Sequence, residues 1–362
     1  MRRELRFAAL TRVRIAGSCA DALAKLVTAY LGAHGHPDLK VWCFVVGPMV
    51  GSTVSSIGIL WYRPWRPVLA FDRQVAAGAL RYGVQVAGGE LLYFIYTNAD
   101  YLVIGRAWGD AAVGAYRLAY ELVLDVVRLI SLVTAEVAFP AFARLLTDRR
   151  RAGTLLVQFT RQNAIALVPV LVFLAVAADD LLAVLYPPLP PAATTAARIL
   201  CVVGALRTIS FVLPAMLAGL AHAGDALIYH ALAAIALPAA FAGAAAIAPQ
   251  HGYVAVAWAW AVVYPIVFAV LLGRSLARCH LELASYLRGL SGVLACGAGA
   301  AAAALAVHEL LPPRPLGRLL AVALVVIAVY AGMLARIEKI TPRSILRAVR
   351  GMPDGAEPEQ AS

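Results

Sequence analysis

The stretch NADYLVIGRAWGDAAVGAYRLAYELVLDVVRLISLVTAEVAFPAFARLL, residues 98–146, decides how the chain is read. Its middle, residues 111–137, is apolar and long enough to cross a bilayer, since a spanning helix needs about 20 mostly apolar residues. Yet it carries Arg117, Glu121, Asp125, Arg128 and Glu136. Charge in hydrocarbon is costly, so such residues face a partner or a water-filled cavity. With Arg117 at about 0° on a helical wheel, Arg128 falls at about 20°, Glu121 at about 40°, Asp125 at about 80° and Glu136 at about 100°. The five share one face, and Leu122, Val126, Ile130, Val133 and Val137 cover the other. Two readings stay open. The stripe is the wall of a transport path, or Arg117–Glu121 and Asp125–Arg128 pair at i,i+4 and i,i+3 and neutralise each other inside a bundle.

The rest of the chain supplies a membrane setting. Its 362 residues are 62% hydrophobic and 14% charged, with a mean hydropathy of +0.80. Soluble domains sit near 45–50% apolar and about 25% charged. Ten segments have the length and apolarity of spans: 11–33, 40–61, 76–98, 111–137, 158–184, 195–220, 225–248, 252–273, 287–309 and 317–335. Asp21 and Lys25 interrupt the first, at a spacing that lets them pair across one helical turn.

Loop charge gives the orientation. With the chain starting inside, 22 of the 31 basic residues fall in inside segments and 4 in outside ones (Lys40, Arg106, Arg314 and Arg318). This bias fits the positive-inside rule with both termini cytoplasmic. It also explains the net charge of +11 as topology, so no nucleic-acid partner is expected. The five cysteines are scattered without a CxxC pair and read as inert thiols. His34 and His36 make only a weak metal pair, and neither a metal nor a cofactor is expected. There is no Walker motif, GxSxG or HExxH, and no soluble domain of useful size. These absences argue against an ATP-driven pump and against most membrane glycosyltransferases. Spans joined by short loops fit a secondary transporter, and the chain is not expected to be an enzyme.

Glu90 in the third span and Arg207 in the sixth are further mid-span charges and join the cavity candidates. Arg198, near a helix end, can snorkel. Asp179 and Asp180 lie at the outer end of the fifth span, where solvation is the expected role. Pro48, Pro169, Pro214, Pro238 and Pro265 interrupt helices and can free backbone carbonyls. The alanine-rich stretch 291–306 suits close helix packing.

Several short motifs occur in order. They are Arg3-Glu4-Leu5-Arg6-Phe7, Arg66-Pro67-Val68-Leu69-Ala70-Phe71-Asp72, Asn98-Ala99-Asp100-Tyr101-Leu102-Val103-Ile104-Gly105, Gly114-x-Tyr116-x-x-Ala119 and Phe139-Pro140-Ala141-Phe142. Together they resemble the Wzx-like polysaccharide flippases, the lipopolysaccharide biosynthesis proteins of the MOP superfamily, which also holds the MATE exporters and the lipid II flippase. The resemblance implies an all-α integral membrane protein of about ten transmembrane helices, a MOP-type two-lobe bundle with an incomplete first lobe. On that alignment residues 1–74 are a two-span remnant of the N-terminal lobe with its linker. Residues 75–273 form the six-span C-terminal lobe, 274–350 two extra spans and a basic end, and 351–362 a disordered tail. The first four spans of the family pattern are missing, which is expected either from a misplaced start or truncated gene or from a short form that works as an oligomer. The family's usual G-x-x-W after the fifth span is replaced by Pro187-Pro188-Leu189-Pro190-Pro191.

The implied function is translocation of a polyprenyl-diphosphate-linked oligosaccharide across the bacterial cytoplasmic membrane for surface polysaccharide biosynthesis. Membrane lipid and a glycan polymerase with other assembly proteins are the implied partners. A diphosphate–sugar head cannot cross hydrocarbon unaided and needs a hydrated, cationic cavity. On the stripe alone, without matched family residues, Arg117, Arg128 and Arg207 are expected to attract the diphosphate. Glu121, Asp125 and Glu90 are expected to balance charge or bind a coupling H⁺ or Na⁺. The alternatives are a MATE-like exporter of small cations, which favours an acidic cavity, a glycan polymerase or ligase, which needs a large outside loop, and an inactive remnant.

Overall fold

The computed structural model describes residues 7–34, 39–62, 72–186, 190–312 and 314–337. His36, the motifs at 3–6 and 66–71, most of the Pro187–Pro191 turn and the tail lie outside the described residues. Among the described residues there is helix and no strand. Each of the ten predicted segments coincides with a helical rod. The first three are α1 (Phe7–Ala33), α2 (Leu39–Tyr62) and α3 (Arg73–Trp108). The fourth is α4 (Asp110–Tyr120), a π-helical turn (Glu121–Asp125) and α5 (Val126–Ala143) in series. Then come α6 (Arg149–Leu185), α7 (Pro191–Ser210) with α8 (Val212–Gly219), α9 (Ala223–Ile247), α10 (Val254–Arg278), α11 (Leu283–Leu310) and α12 (Pro315–Ile337).

Seven of these stretches are long and apolar enough to cross a membrane. The three rods left out are α1, α3 and α4–α5, which hold the Asp21–Lys25 pair, Glu90 with Asp100, and the charged stripe. Each carries charges within its apolar stretch.

The chain forms two compact units, Met1–Ala77 and Gly78–Ser362. In the first, α1 packs on α2. A Cβ on Gly17 would meet Ser55 Oγ and the Gly51 carbonyl, and one on Gly51 would sit 2.8 Å from Asp21 Cβ. Small residues thus let these two backbones nearly touch. The Lys25 ammonium donates to Asp21 at 2.8 Å, which realises the i,i+4 pairing expected from sequence.

The second unit is built on aromatic packing. Tyr96, Tyr116, Phe142, Phe241, Trp260, Tyr264 and Tyr286 are almost fully buried. Asn163 of α6 pins three helices together. Its amide donates to Ser131 Oγ of α5 (2.9 Å) and to the Thr208 carbonyl of α7 (2.7 Å). Inside the membrane such bonds work because the competing state leaves a polar group in hydrocarbon. Pro214 cannot donate to the carbonyl four residues back and its ring crowds it, and the rod breaks at Phe211, between α7 and α8. The alanine-rich stretch packs as expected, with α11 against α6 and α12. A Cβ on Gly297 would collide with Val168 of α6.

Charged groups gather at the two ends of this unit. At one end Asp225 accepts from Arg274 (2.8 Å) and Arg278 (2.7 Å), and Arg149 contacts His222 at 3.2 Å. These are all segments assigned to the inside by loop charge. At the other end Arg198 pairs with Asp179 at 2.5 Å, and Trp108 Nε1 donates to the Pro249 carbonyl at 3.1 Å. Asp180 corrects the sequence expectation of a solvated surface acid. It is 2% exposed and accepts from Arg318 of α12 at 2.6 Å, with His308 of α11 at 3.3 Å. The side chain ties three helices together at the point where water would have been lost. Four of the five cysteines are buried and Cys19 is exposed.

Candidate functional site

The π-helical turn at Glu121–Asp125 changes the wheel drawn from sequence. A π turn closes i→i+5 bonds and holds one residue more than an α turn, so residues after it rotate back by about 100°. Arg117 and Glu121 remain one α turn apart, and Arg117 Nε donates to Glu121 at 2.5 Å. Arg128 Nε donates to Asp125 at 3.1 Å. Both predicted pairs therefore form. They are not sealed in a helix interface, since the Arg117 and Arg128 side chains are 65% and 43% exposed. Glu136 lines neither cavity described next.

Arg117, Glu121, Asp125 and Arg128 line one chamber of about 470 Å³, together with Tyr93, Thr97, Asn98, Tyr101, Tyr120 and Arg207. A second chamber of about 370 Å³ adjoins it and holds Glu90, His230 and a wall of apolar side chains from α5, α8 and α9. Tyr93, Arg128 and Arg207 belong to both. All six residues singled out from sequence thus lie on one continuous groove of the second unit. The charges pair, and the pairs line a cavity.

Arg207 is the exceptional member. It is 3% exposed and sits in a box of rings, its guanidinium carbon 4.6 Å from the Trp260 centroid, 5.6 Å from Tyr264 and 6.0 Å from Tyr120. Nη1 donates to Tyr120 Oη at 3.2 Å, while Nη2 is buried without a hydrogen-bond partner. Among the described residues no carboxylate pairs with it. Cation–π contacts supply about 0.5–2 kcal/mol each. Burying an ion costs several kcal/mol even after relaxation. The rings offset part of that cost and leave one donor, Nη2, without a side-chain or backbone acceptor.

The rings are themselves held in place. Trp260 Nε1 and Tyr116 Oη both donate to Asp100 Oδ2, each at 3.0 Å, and the Tyr101 amide donates to Oδ1 at 2.9 Å. Asp100 is fully buried. Ser210 Oγ lies 2.7 Å from Tyr264 Oη. Sequence reasoning did not assign a role to Asp100, Tyr116, Trp260 or Tyr264. Asp100 had a signal, a lone acid near the end of an apolar helix. Trp260 had none, because its partner lies 160 residues earlier.

Two of the motifs quoted above now have a physical account. The aspartate of Asp100-x-x-x-Ile104-Gly105 and the tyrosine of Gly114-x-Tyr116-x-x-Ala119 are one hydrogen-bonded pair, with Ile104 and Ala119 fully buried around it. A model of the polysaccharide biosynthesis protein family matches residues 1–187, half of the chain. The chain belongs to this family. Among its relatives are the amylovoran biosynthesis protein AmsL of Erwinia amylovora, 27% identical over 176 residues, covering 48% of this chain and 45% of that protein. The lipopolysaccharide biosynthesis protein WzxC of Escherichia coli (strain K12) is 25% identical over 211 residues, 58% of this chain and 42% of its own length. The teichuronic acid biosynthesis protein TuaB of Bacillus subtilis (strain 168) is 28% identical over 159 residues, 43% of this chain and 33% of TuaB. The chain spans less than half the length of these relatives. Among solved structures, the lipid II flippase MurJ in an inward closed conformation aligns with a TM-score of 0.61 at 12% identity, over 89% of this chain and 67% of that one. The likeness bears out the expected fold class, an all-α bundle whose described helices include seven long and apolar enough to cross a membrane.

Proposed function

We propose that the chain moves a polyprenyl-diphosphate-linked oligosaccharide from the inner to the outer leaflet of the bacterial cytoplasmic membrane, as a transporter and not an enzyme. The observation that carries this reading is Arg207, a buried guanidinium with no acid partner among the described residues, which lines both chambers of the groove. A diphosphate is the complementary ligand. It supplies the missing acceptor for Nη2, and a planar guanidinium binds phosphate oxygens in pairs. Arg128 is the second donor, since its ion pair with Asp125 runs through Nε, and Arg117 draws the anion in. Glu121, Asp125 and Glu90 keep the groove near charge balance or take up a coupling cation.

The same observation weighs against a MATE-like exporter of cationic compounds, because an uncompensated buried cation repels such cargo. The basic residues gathered around Arg149, Arg274 and Arg278 support placing that end, and with it both termini, in the cytoplasm. The division into residues 1–74, 75–273, 274–350 and 351–362 belongs to the same proposal, as do all ten spans and a glycan polymerase as partner.

The test is export in cells that lack their own flippase for a defined lipid-linked glycan and carry this gene. Arg207→Ala is expected to abolish surface glycan at unchanged membrane levels of the protein. Full export by that variant overturns the proposal. Efflux of a cationic dye by the native chain favours the exporter reading instead.

A further inference from the structure

The groove is divided by chemistry along its length. Going along α3, Gln85 and Glu90 line one chamber, Tyr93 both, and Thr97, Asn98 and Tyr101 the other. At 1.5 Å per residue, Gln85 and Tyr101 are about 24 Å apart and Tyr93 lies midway. Arg128 and Arg207 share this waist with Tyr93. On one side the walls are polar and ringed: Asn98, Thr97, Tyr101, Tyr120 and the Arg117–Glu121 pair. On the other they are mainly apolar, with Leu132, Ala135, Phe211, Pro214, Ala218 and Leu227. Both volumes, about 470 and 370 Å³, fall in the range of about 300–1,000 Å³ typical of small-molecule sites.

From this order we infer that the ligand lies along the groove in one direction: diphosphate at the Arg128–Arg207 waist, the first sugars in the polar chamber, and the first isoprene units of the lipid in the apolar chamber. The inference rests on the diphosphate reading above and adds the placement of the two ends. A molecule with an anion between a hydroxylated part and a hydrocarbon part matches the three zones in sequence. Reversal would set hydroxyls against Leu132, Phe211 and Leu227 and hydrocarbon against the Arg117–Glu121 pair, a loss at both ends. Beyond Arg207 at the waist, the charges of the polar chamber are the two ion pairs Arg117–Glu121 and Arg128–Asp125. That chamber therefore takes a neutral, hydroxyl-rich glycan without a charge penalty, and aromatic faces with a few placed polar groups fix its orientation.

The experiment uses the full chain in nanodiscs and three probes: inorganic pyrophosphate, geranylgeranyl diphosphate, and a diphosphate whose prenyl chain carries a benzophenone. The prenyl diphosphate is expected to bind at least about tenfold tighter than pyrophosphate, because several apolar units leave water. Ala218→Trp, which fills the apolar chamber, is expected to erase that difference. Crosslinking to the native chain bypasses any folding defect of the variant and is expected to mark peptides containing Leu132 and Pro214. Labels on Asn98 or Tyr101, or equal affinity of the native chain for the two diphosphates, overturn the placement while leaving the diphosphate reading intact. Failure of pyrophosphate to bind overturns both.

Discussion

Arg207 and Asp100 sit on two sides of one indole: the guanidinium lies 4.6 Å from the Trp260 ring centroid, and Trp260 Nε1 donates to Asp100 Oδ2 at 3.0 Å. The acid does not neutralise the base directly. It fixes the ring on which the base rests, and it also accepts from Tyr116, whose ring packs against Tyr120. A direct ion pair would satisfy Arg207, whereas the proposed anion site needs a donor left open. The indirect arrangement keeps the cation in position with one donor unused.

That arrangement predicts a split between stability and transport at Arg207. Arg207→Met removes an unsatisfied buried charge and keeps most of the side-chain volume. Replacing buried ions by apolar groups is often neutral or stabilising. The melting temperature in detergent is expected to hold or rise, while glycan export falls by about tenfold or more, the equivalent of losing a charge-assisted hydrogen bond. A melting temperature lowered by many degrees would show that the guanidinium is a packing element.

Asp100→Asn is expected to behave in the opposite way. Oδ2 accepts two donors and Oδ1 a third. An amide in either flip sets its own NH₂ against at least one of them. Leaving a buried donor unpaired costs about 1–3 kcal/mol. Thermal unfolding should shift down accordingly, and Trp260 emission should change with the loss of its hydrogen bond. A wild-type unfolding curve would refute this.

Gly219 is predicted to tolerate no side chain. A Cβ there would lie 2.8 Å from Phe142 Cβ and 2.9 Å from the Phe139 carbonyl, where α8 meets α5. Gly219→Val should cost about 1–3 kcal/mol by overpacking. Gly243→Ala is the control, because nothing lies within 4 Å of its Cβ position. Equal melting temperatures for the two variants would contradict the contact.

His222 gives a pH dependence. Its pKa is held below the usual histidine value by burial, then by Arg278 and Arg149. Nε2 faces an Arg149 donor at 3.2 Å and so accepts as the neutral ring. The folded state therefore binds fewer protons than the unfolded one below about pH 6.5. Stability from this group is complete above that pH and declines as pH falls below it. Melting curves at pH 7.5 and 5.5 measure the decline, which His222→Gln should reduce. A variant with the native pH dependence would rule His222 out.

Much of the fold was legible because membrane physics is one-dimensional. Runs of about 20 apolar residues mark helices wherever they fall, and the described rods match the predicted segments with ends shifted by several residues. The pairs Asp21–Lys25, Arg117–Glu121 and Asp125–Arg128 were legible for the same reason, since each is set by helical spacing. Asp179 and Asp180 show where that logic stops. They are neighbours in sequence at one helix end, yet Asp179 pairs at the surface with Arg198 while Asp180 is buried against Arg318 and His308.

Sequence by itself determined that the chain is helical and apolar enough for a membrane, that it carries the motifs of a polysaccharide biosynthesis protein, and that Arg117, Glu121, Asp125, Arg128, Arg207 and Glu90 are costly enough to need a reason. Hydropathy and spacing carry that information locally. Only the tertiary structure decided which of those charges are satisfied. The π turn that re-aims the stripe, the ring box around Arg207 and the Asp100–Trp260 bond depend on α3, α4, α7 and α10 meeting. Such contacts join residues as far as 160 positions apart, and no local period encodes them.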